Sequence, residues 1–207
     1  MNKWIIYPLT LKGQTIELIS LDKKHFGELS ALAKDKRIWE FFPYDGSKPD
    51  IFLNILNTTL AERKKGNQFP FVIFHKHNKK LIGSTRFLDI QPKHKKLEIG
   101  STWLHHDYWA TEVNLECKLL LLTYCFENLQ TIRVQLKTDE NNIRSRKAIE
   151  KIGGQFEGII RNDMIRANNT IRNSAYYSIL INEWNEKKLK LAELIQRKKM
   201  IDINKVC

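Results

Sequence analysis

The sequence predicts an α+β (mixed α/β) protein, with one twisted, mixed but mostly antiparallel sheet of about seven strands flanked by helices. Three observations carry that reading. β-type segments at residues 69–74 and 80–90 flank a turn at His77-Asn78, and segments at 155–166 and 173–182 flank Ala167-Asn168-Asn169-Thr170, so two hairpins supply antiparallel pairs. Twice a strand runs through a polar loop into a helical pattern, at 97–128 and at 132–152. Two further helices follow the first strand, which places helices on the faces of the sheet.

The elements follow in order. Residues 15–19 read as the first strand, Asp22 caps a helix running to about Lys34, and Pro49 opens a second helix that stops at Gly66. After the first hairpin, residues 97–104 form the fourth strand. Residues 111–128 then carry Val113, Leu115, Leu119, Leu120, Leu122 and Phe126 at helical spacing. Ile132, Val134 and Leu136 alternate with polar residues as a half-buried fifth strand requires. Thr138-Asp139-Glu140-Asn141-Asn142 supplies a turn and a helix cap, and Ser145, Ala148, Ile149 and Ile152 recur at helical spacing up to Gly153-Gly154. Residues 183–199 read as a charged terminal helix. No repeat or low-complexity tract divides the chain, so residues 1–207 are expected to form a single domain.

With 42% hydrophobic residues the chain can bury one substantial core. No apolar run is long enough for a membrane span or a signal peptide, so the protein is expected to be soluble and cytoplasmic. Cys117, Cys125 and Cys207 are odd in number, and the first two would stand about 12 Å apart along one helix, too far for a disulfide. They read as reduced thiols. The net charge of +12 gathers in basic turns such as Arg63-Lys64-Lys65 and Lys93-His94-Lys95-Lys96. Such turns are mostly a solvated face that draws acidic proteins, phosphate-bearing ligands or ribosomal RNA without specifying a nucleic-acid site. No aromatic-basic strand of the RNA-binding type and no zinc-ligand spacing appears, and His75 and His77 fall in a turn, so no metal is expected.

The stretch 131–158, with Asn142, Ser145, Lys151 and Gly153 in the pattern N-x-x-S then K-x-G, resembles the acetyl-CoA-binding half of the GNAT N-acetyltransferases. EIGSTWL at 98–104, the helix after it, EGII at 157–160 and YYSIL at 176–180 resemble the RimJ/RimL branch in particular, and the likeness covers residues 15–184. That resemblance implies the GNAT fold, with the fourth and fifth strands splayed apart and acetyl-CoA between them. It implies pantetheine along Ser101 to Leu104, including Trp103 and Leu104, with a backbone N–H there as oxyanion donor. Asn142 would contact the pantetheine arm, and Ser145 would act as acid to the leaving thiolate. The pyrophosphate would lie against Trp109, Ala110, Thr111, Glu112, Val113 and Asn114. That loop departs from the family pattern: neither expected glycine is present, and Glu112 brings a negative charge, reading otherwise as an acid favoured at a helix N-terminus. Ile149 stands where many members carry a tyrosine.

Acetyl transfer needs a neutral amine held near the thioester carbonyl, an oxyanion donor and a proton source for the thiolate. Two carboxylates compete for the base. Glu98 points away from Leu97 and Ile99, into a cleft or into solvent, and Glu157 begins the strand beside the acceptor. The segments 39–45 and 161–172 would select an amine substrate, either a protein N-terminus or a small molecule, with a ribosomal or acidic protein and a homodimer as compatible partners. A non-catalytic acyl-CoA-sensing GNAT-fold protein and a basic RNA- or ribosome-associated protein are the rival readings.

Overall fold

The computed structural model describes residues 4–203, so Cys207 lies outside the described residues. Eight strands form one sheet in the order β1-β2-β3-β4-β5-β6-β8-β7. They are β1 (Thr10–Lys12), β2 (Ile16–Ser20), β3 (Phe69–His75), β4 (Lys80–Gln91), β5 (Lys96–Leu104), β6 (Arg133–Asp139), β7 (Gln155–Ile165) and β8 (Ile171–Leu180). Every pairing is antiparallel except β5 with β6. The short edge strand β1 is one more than the sequence led us to expect, so the fourth and fifth strands anticipated there are β5 and β6.

The helices are α1 (Phe26–Leu32), α2 (Pro49–Lys65), α3 (Val113–Thr123), α4 (Ile143–Lys151) and α5 (Trp184–Ile203). Asp22 caps a 3-10 turn at Lys23–His25 rather than α1 itself, and α3 begins two residues later than anticipated and ends in a π-helical turn at Tyr124–Asn128. One core lies between the sheet and α3, α4 and α5, built from Leu97, Ile99, Val134, Leu136, Tyr177, Leu121, Ile149 and Trp184. A second core on the opposite face joins α1 and α2 to Val72, Leu81 and Trp103 through Leu29, Phe52 and Leu56. Ile132 is 54% exposed, because β6 begins one residue after it. Cys117 and Cys125 are buried and unbonded, and burial pushes the Cys117 thiol up to about 11, which suits packing and not attack.

Two parallel strands each followed by a loop and a helix create the place where a ligand belongs. In open sheets, sites form at the carboxyl ends of such strands. No helix among the described residues is long and apolar enough to cross a membrane.

Candidate active site

β5 and β6 pair only at Lys96 with Arg133, Leu97 with Val134 and Glu98 with Gln135, and then diverge. Residues 99–104 and 136–139 are left as the two walls of an open wedge. Inside it, the β4–β5 ladder pairs Arg86 with Gly100 and Ser84 with Trp103, so Ser101 and Thr102 stand together opposite the single residue Thr85. This bulge is marked by φ +47 at Ser101, an uncommon backbone for a serine. It turns backbone groups out of the ladder toward the wedge. Trp103 and Leu104 are core side chains, so only their backbone can meet a ligand.

Both helices that start at the wedge present the positive end of a dipole to it. At α4, Asn142 is the cap: its Oδ1 accepts from the Ser145 N–H at 2.9 Å. Buried Asp139 shapes the approach, accepting from the Asn141 N–H at 3.0 Å and from Arg166 Nε at 2.6 Å. Burial alone would raise its pKa, but those donors hold the carboxyl below its ordinary value. At α3, Ala110 takes φ +59, the left-handed conformation that glycine usually supplies. The Thr111 hydroxyl donates to the Tyr108 carbonyl at 2.9 Å and accepts from the Val113 N–H at 3.3 Å, while Trp109 Nε1 donates to the Leu104 carbonyl at 2.9 Å. Glu112 and Asn114 are half-buried around this turn.

Sequence reasoning missed the contact that ties the two loops together. The Arg144 guanidinium of α4 lies over the Trp109 ring at 4.1 Å, closing the far side of the wedge with a cation. It also missed Lys118, 7% exposed, whose Nζ donates to Thr102 Oγ1 at 2.6 Å within the bulge. Burial lowers the Lys118 pKa. Neither residue has a local signal, one being an ordinary helix cation and the other sitting in an apolar run. His105, His106 and Asp107 bring three ligand atoms within 4.8 Å of one another, the one metal-type grouping among the described residues.

The two carboxylates proposed as base differ sharply. Glu98 is 4% exposed at the apex of the wedge, on the α1/α2 face, with Oε2 accepting from Gln135 Nε2 at 2.9 Å and standing 3.8 Å from Lys137 Nζ. Burial raises its pKa, with Lys137 and Gln135 pulling the other way. Glu157 instead forms a two-pronged ion pair with Arg133, at the closed end of the β5–β6 pair, and accepts from Ser178 Oγ at 2.7 Å. Arg133 holds its carboxyl below the ordinary value. The structure therefore brings Glu98 to the wedge and ties Glu157 to Arg133. Ser145 is half-buried at the start of α4, on the wedge's other side.

Residues 15–155 match the profile of the family described as the acetyltransferase (GNAT) domain. The chain belongs to the GNAT acetyltransferase family. A GNAT relative in Bacillus subtilis (strain 168), provisionally described as the ribosomal N-acetyltransferase YdaF, is 31% identical over 108 residues, 52% of this chain and 58% of that protein. The match thus spans little more than half of the curated relative. A provisionally assigned acetyltransferase from T. thermophilus superposes with a TM-score of 0.82 at 27% identity, over 92% of this chain and 99% of the other. RimJ of Mycobacterium smegmatis, solved with CoA-disulfide, shares the fold with a TM-score of 0.78 at 17% identity, over 91% and 95% of the two chains. GNAT acetyltransferases use acetyl-CoA. The open wedge, the bulge at Ser101, the left-handed Ala110 and the two helix starts fit such a cofactor, and the glycine-poor loop achieves through Ala110 part of what glycine would provide.

Proposed function

We propose that this protein transfers the acetyl group of acetyl-CoA to a primary amine by direct attack in a ternary complex, in the cytoplasm, with a protein N-terminus, such as that of a ribosomal protein, or a small-molecule amine as acceptor. The observation that carries the reading is the wedge between β5 and β6, with unladdered backbone on one wall and a buried carboxylate at its apex.

Acetyl-CoA supplies the activated thioester. Its pyrophosphate would be held by the first-turn amides of α3 from Thr111 to Asn114, with Arg144 at hand as a counter-charge, and its pantetheine arm by the β5 backbone and the Asn142 side chain. A backbone N–H at the bulge serves as donor to charge developing on the carbonyl oxygen. Glu98 removes the proton from the attacking amine. Burial raises its pKa, which makes it a stronger base than a solvated carboxylate. An α-amine, with a pKa of about 7.7–8.0, needs only that modest help, whereas lysine near ~10.4 needs far more. Ser145 stands as the hydroxyl that returns a proton to the thiolate. Glu157, committed to Arg133, keeps a structural part in this scheme.

Calorimetric titration with acetyl-CoA tests the reading, using Asn142→Ala and Glu112→Gly beside the unaltered protein. Micromolar binding that Asn142→Ala weakens is the expected result. No binding, with none gained by Glu112→Gly, would overturn it in favour of a partner-binding role.

A further inference from the structure

The acceptor side of the wedge, on the α1/α2 face, holds a charge with nothing to bind. Arg86 of β4 is 8% exposed, yet no carboxylate lies within ion-pair distance among the described residues, its Nε has no partner at all, and its one side-chain contact is Gln68 Oε1 at 3.5 Å. A guanidinium cannot shed its charge, and a buried one without a counter-charge costs several kcal/mol by the general rule for buried ions. Such a group is retained where a ligand completes it.

Its position identifies the ligand. Arg86 is registered directly opposite Gly100, and the Glu98 carboxyl lies over that same glycine, where a Cβ would stand 2.9 Å from Oε1. The proposed base and Arg86 therefore lie on one face of the sheet, on either side of Gly100. Tyr44 and Ser101 border it with neutral hydroxyls, and Tyr44 is held by Trp39 and Phe42 at ring distances of 5.6 and 5.5 Å. Asp139 is matched by Arg166 and Glu98 stands 3.8 Å from Lys137, whereas Arg86 has no carboxylate partner among the described residues. Arg172 donates to the Ser174 hydroxyl at 3.0 Å and the Phe41 carbonyl at 3.3 Å.

We propose that Arg86 anchors a carboxylate on the acceptor, so that the preferred amine carries an acid group a few atoms from its nitrogen, as a free acidic amino acid or a peptide beginning with an acidic residue does. The proposal rests on the transferase reading, with the amine at Glu98, and adds the chemistry that selects the acceptor. A planar, two-pronged acceptor suits a guanidinium whose Nε edge is free.

The test compares aspartate with asparagine, and a tripeptide beginning with aspartate with its asparagine counterpart, in the unaltered enzyme and in Arg86→Met and Arg86→Lys. The readout is kcat/KM from thiol release. In parallel, calorimetry follows binding of N-acetylaspartate and N-acetylasparagine to the CoA-loaded protein, which reports even without turnover. We expect the acidic member of each pair to be favoured at least about tenfold, the size of one charge-assisted hydrogen bond. Arg86→Met should erase that preference while leaving the asparagine compounds, acetyl-CoA affinity and melting temperature unchanged or the last raised, and Arg86→Lys should keep part of it. The better member between amino acid and tripeptide identifies the source of the carboxylate. Equal use and equal binding of acidic and amide compounds would overturn the proposal, as would an Arg86→Met variant that melts early and weakens both alike. Loss of acetyl-CoA binding in the unaltered protein would instead sink the transferase reading.

Discussion

Replacing Glu98 with glutamine separates catalysis from stability at one buried atom. The amide keeps the shape of the side chain and can still accept from Gln135, so the fold should hold, but it cannot take a proton. Loss of a positioned general base lowers kcat/KM by about 100- to 10,000-fold, or ~2.7–5.4 kcal/mol of transition-state stabilisation. Acetyl-CoA affinity should not change, because Glu98 faces α1 and α2 while the cofactor loops open α3 and α4. Stability moves the other way. Burial raises the Glu98 pKa, so between its ordinary value of about 4.3 and the raised one the folded protein holds a proton that the unfolded chain releases, and stability falls as pH rises through that window. The Glu98→Gln variant lacks that fall. Its melting temperature should therefore gain on the parent between pH 4 and neutrality, in matched thermal unfolding scans. Glu157→Gln is the control: its ion pair is 28% and 38% exposed at the two side chains, so its loss should cost no more than about 1 kcal/mol and leave kcat/KM within about threefold. If Glu98→Gln keeps a third of the activity, or Glu157→Gln proves the worse of the two, the assignment of the base is wrong.

Ala110→Gly removes a Cβ from a left-handed residue, and after the entropy that glycine adds to the unfolded chain it should stabilise by about 0.5–1 kcal/mol in urea titrations, with acetyl-CoA bound at least as tightly. Asp139→Asn should cost about 3–5 kcal/mol at neutral pH, because Arg166 would lose its buried carboxylate. The wild-type advantage belongs to the ionised form, so it should be complete above the ordinary aspartate range near ~3.9 and vanish as pH falls through the lowered native value. Lys118→Met replaces a buried cation that has a single hydroxyl partner, and stability should hold or rise by about 1–4 kcal/mol while acetyl-CoA affinity reports whether that charge serves the cofactor.

The sequence made the scaffold legible because its signals were local. The Asn142 cap, the Pro49 and Gly66 limits of α2, the hairpin turns and the run at 97–104 all lie within a few residues of the structure they specify. β1 escaped notice because it is three residues long at a sheet edge. The finer geometry of the site was hidden for a different reason. The bulge at Ser101 exists only against Thr85 on β4, Glu157 is neutralised by Arg133 from 24 residues away, and Arg144 meets Trp109 across the wedge. Arg86 looked like one basic residue in an apolar strand, and only the absence of a partner in three dimensions gives it meaning.

Where the backbone is strained says which of these details serve the site. Among the described residues, eight other than glycine have positive φ, and a left-handed L-residue costs roughly 1–2 kcal/mol. Lys79 and Asn169 lie in hairpin turns, Lys95 in the turn between β4 and β5 and Gln130 in the turn before β6, where reversing the chain explains them, while Asp89 falls near the end of β4 where the β4–β5 register slips. Ser101, Ala110 and Asn162 have no such excuse, since Ser101 and Asn162 fall inside β5 and β7 and Ala110 could have been glycine. Each borders the wedge or its acceptor side: Ser101 forms the bulge, Ala110 aims the loop at the start of α3, and Asn162 opens the irregular stretch of β7 that carries Asp163 inward, where its Oδ2 is buried without a partner. Three strained residues and two unpartnered polar atoms, Arg86 Nε and Asp163 Oδ2, border this one cleft. Their coincidence is the argument that this cleft is kept for binding, and it stands independently of any resemblance.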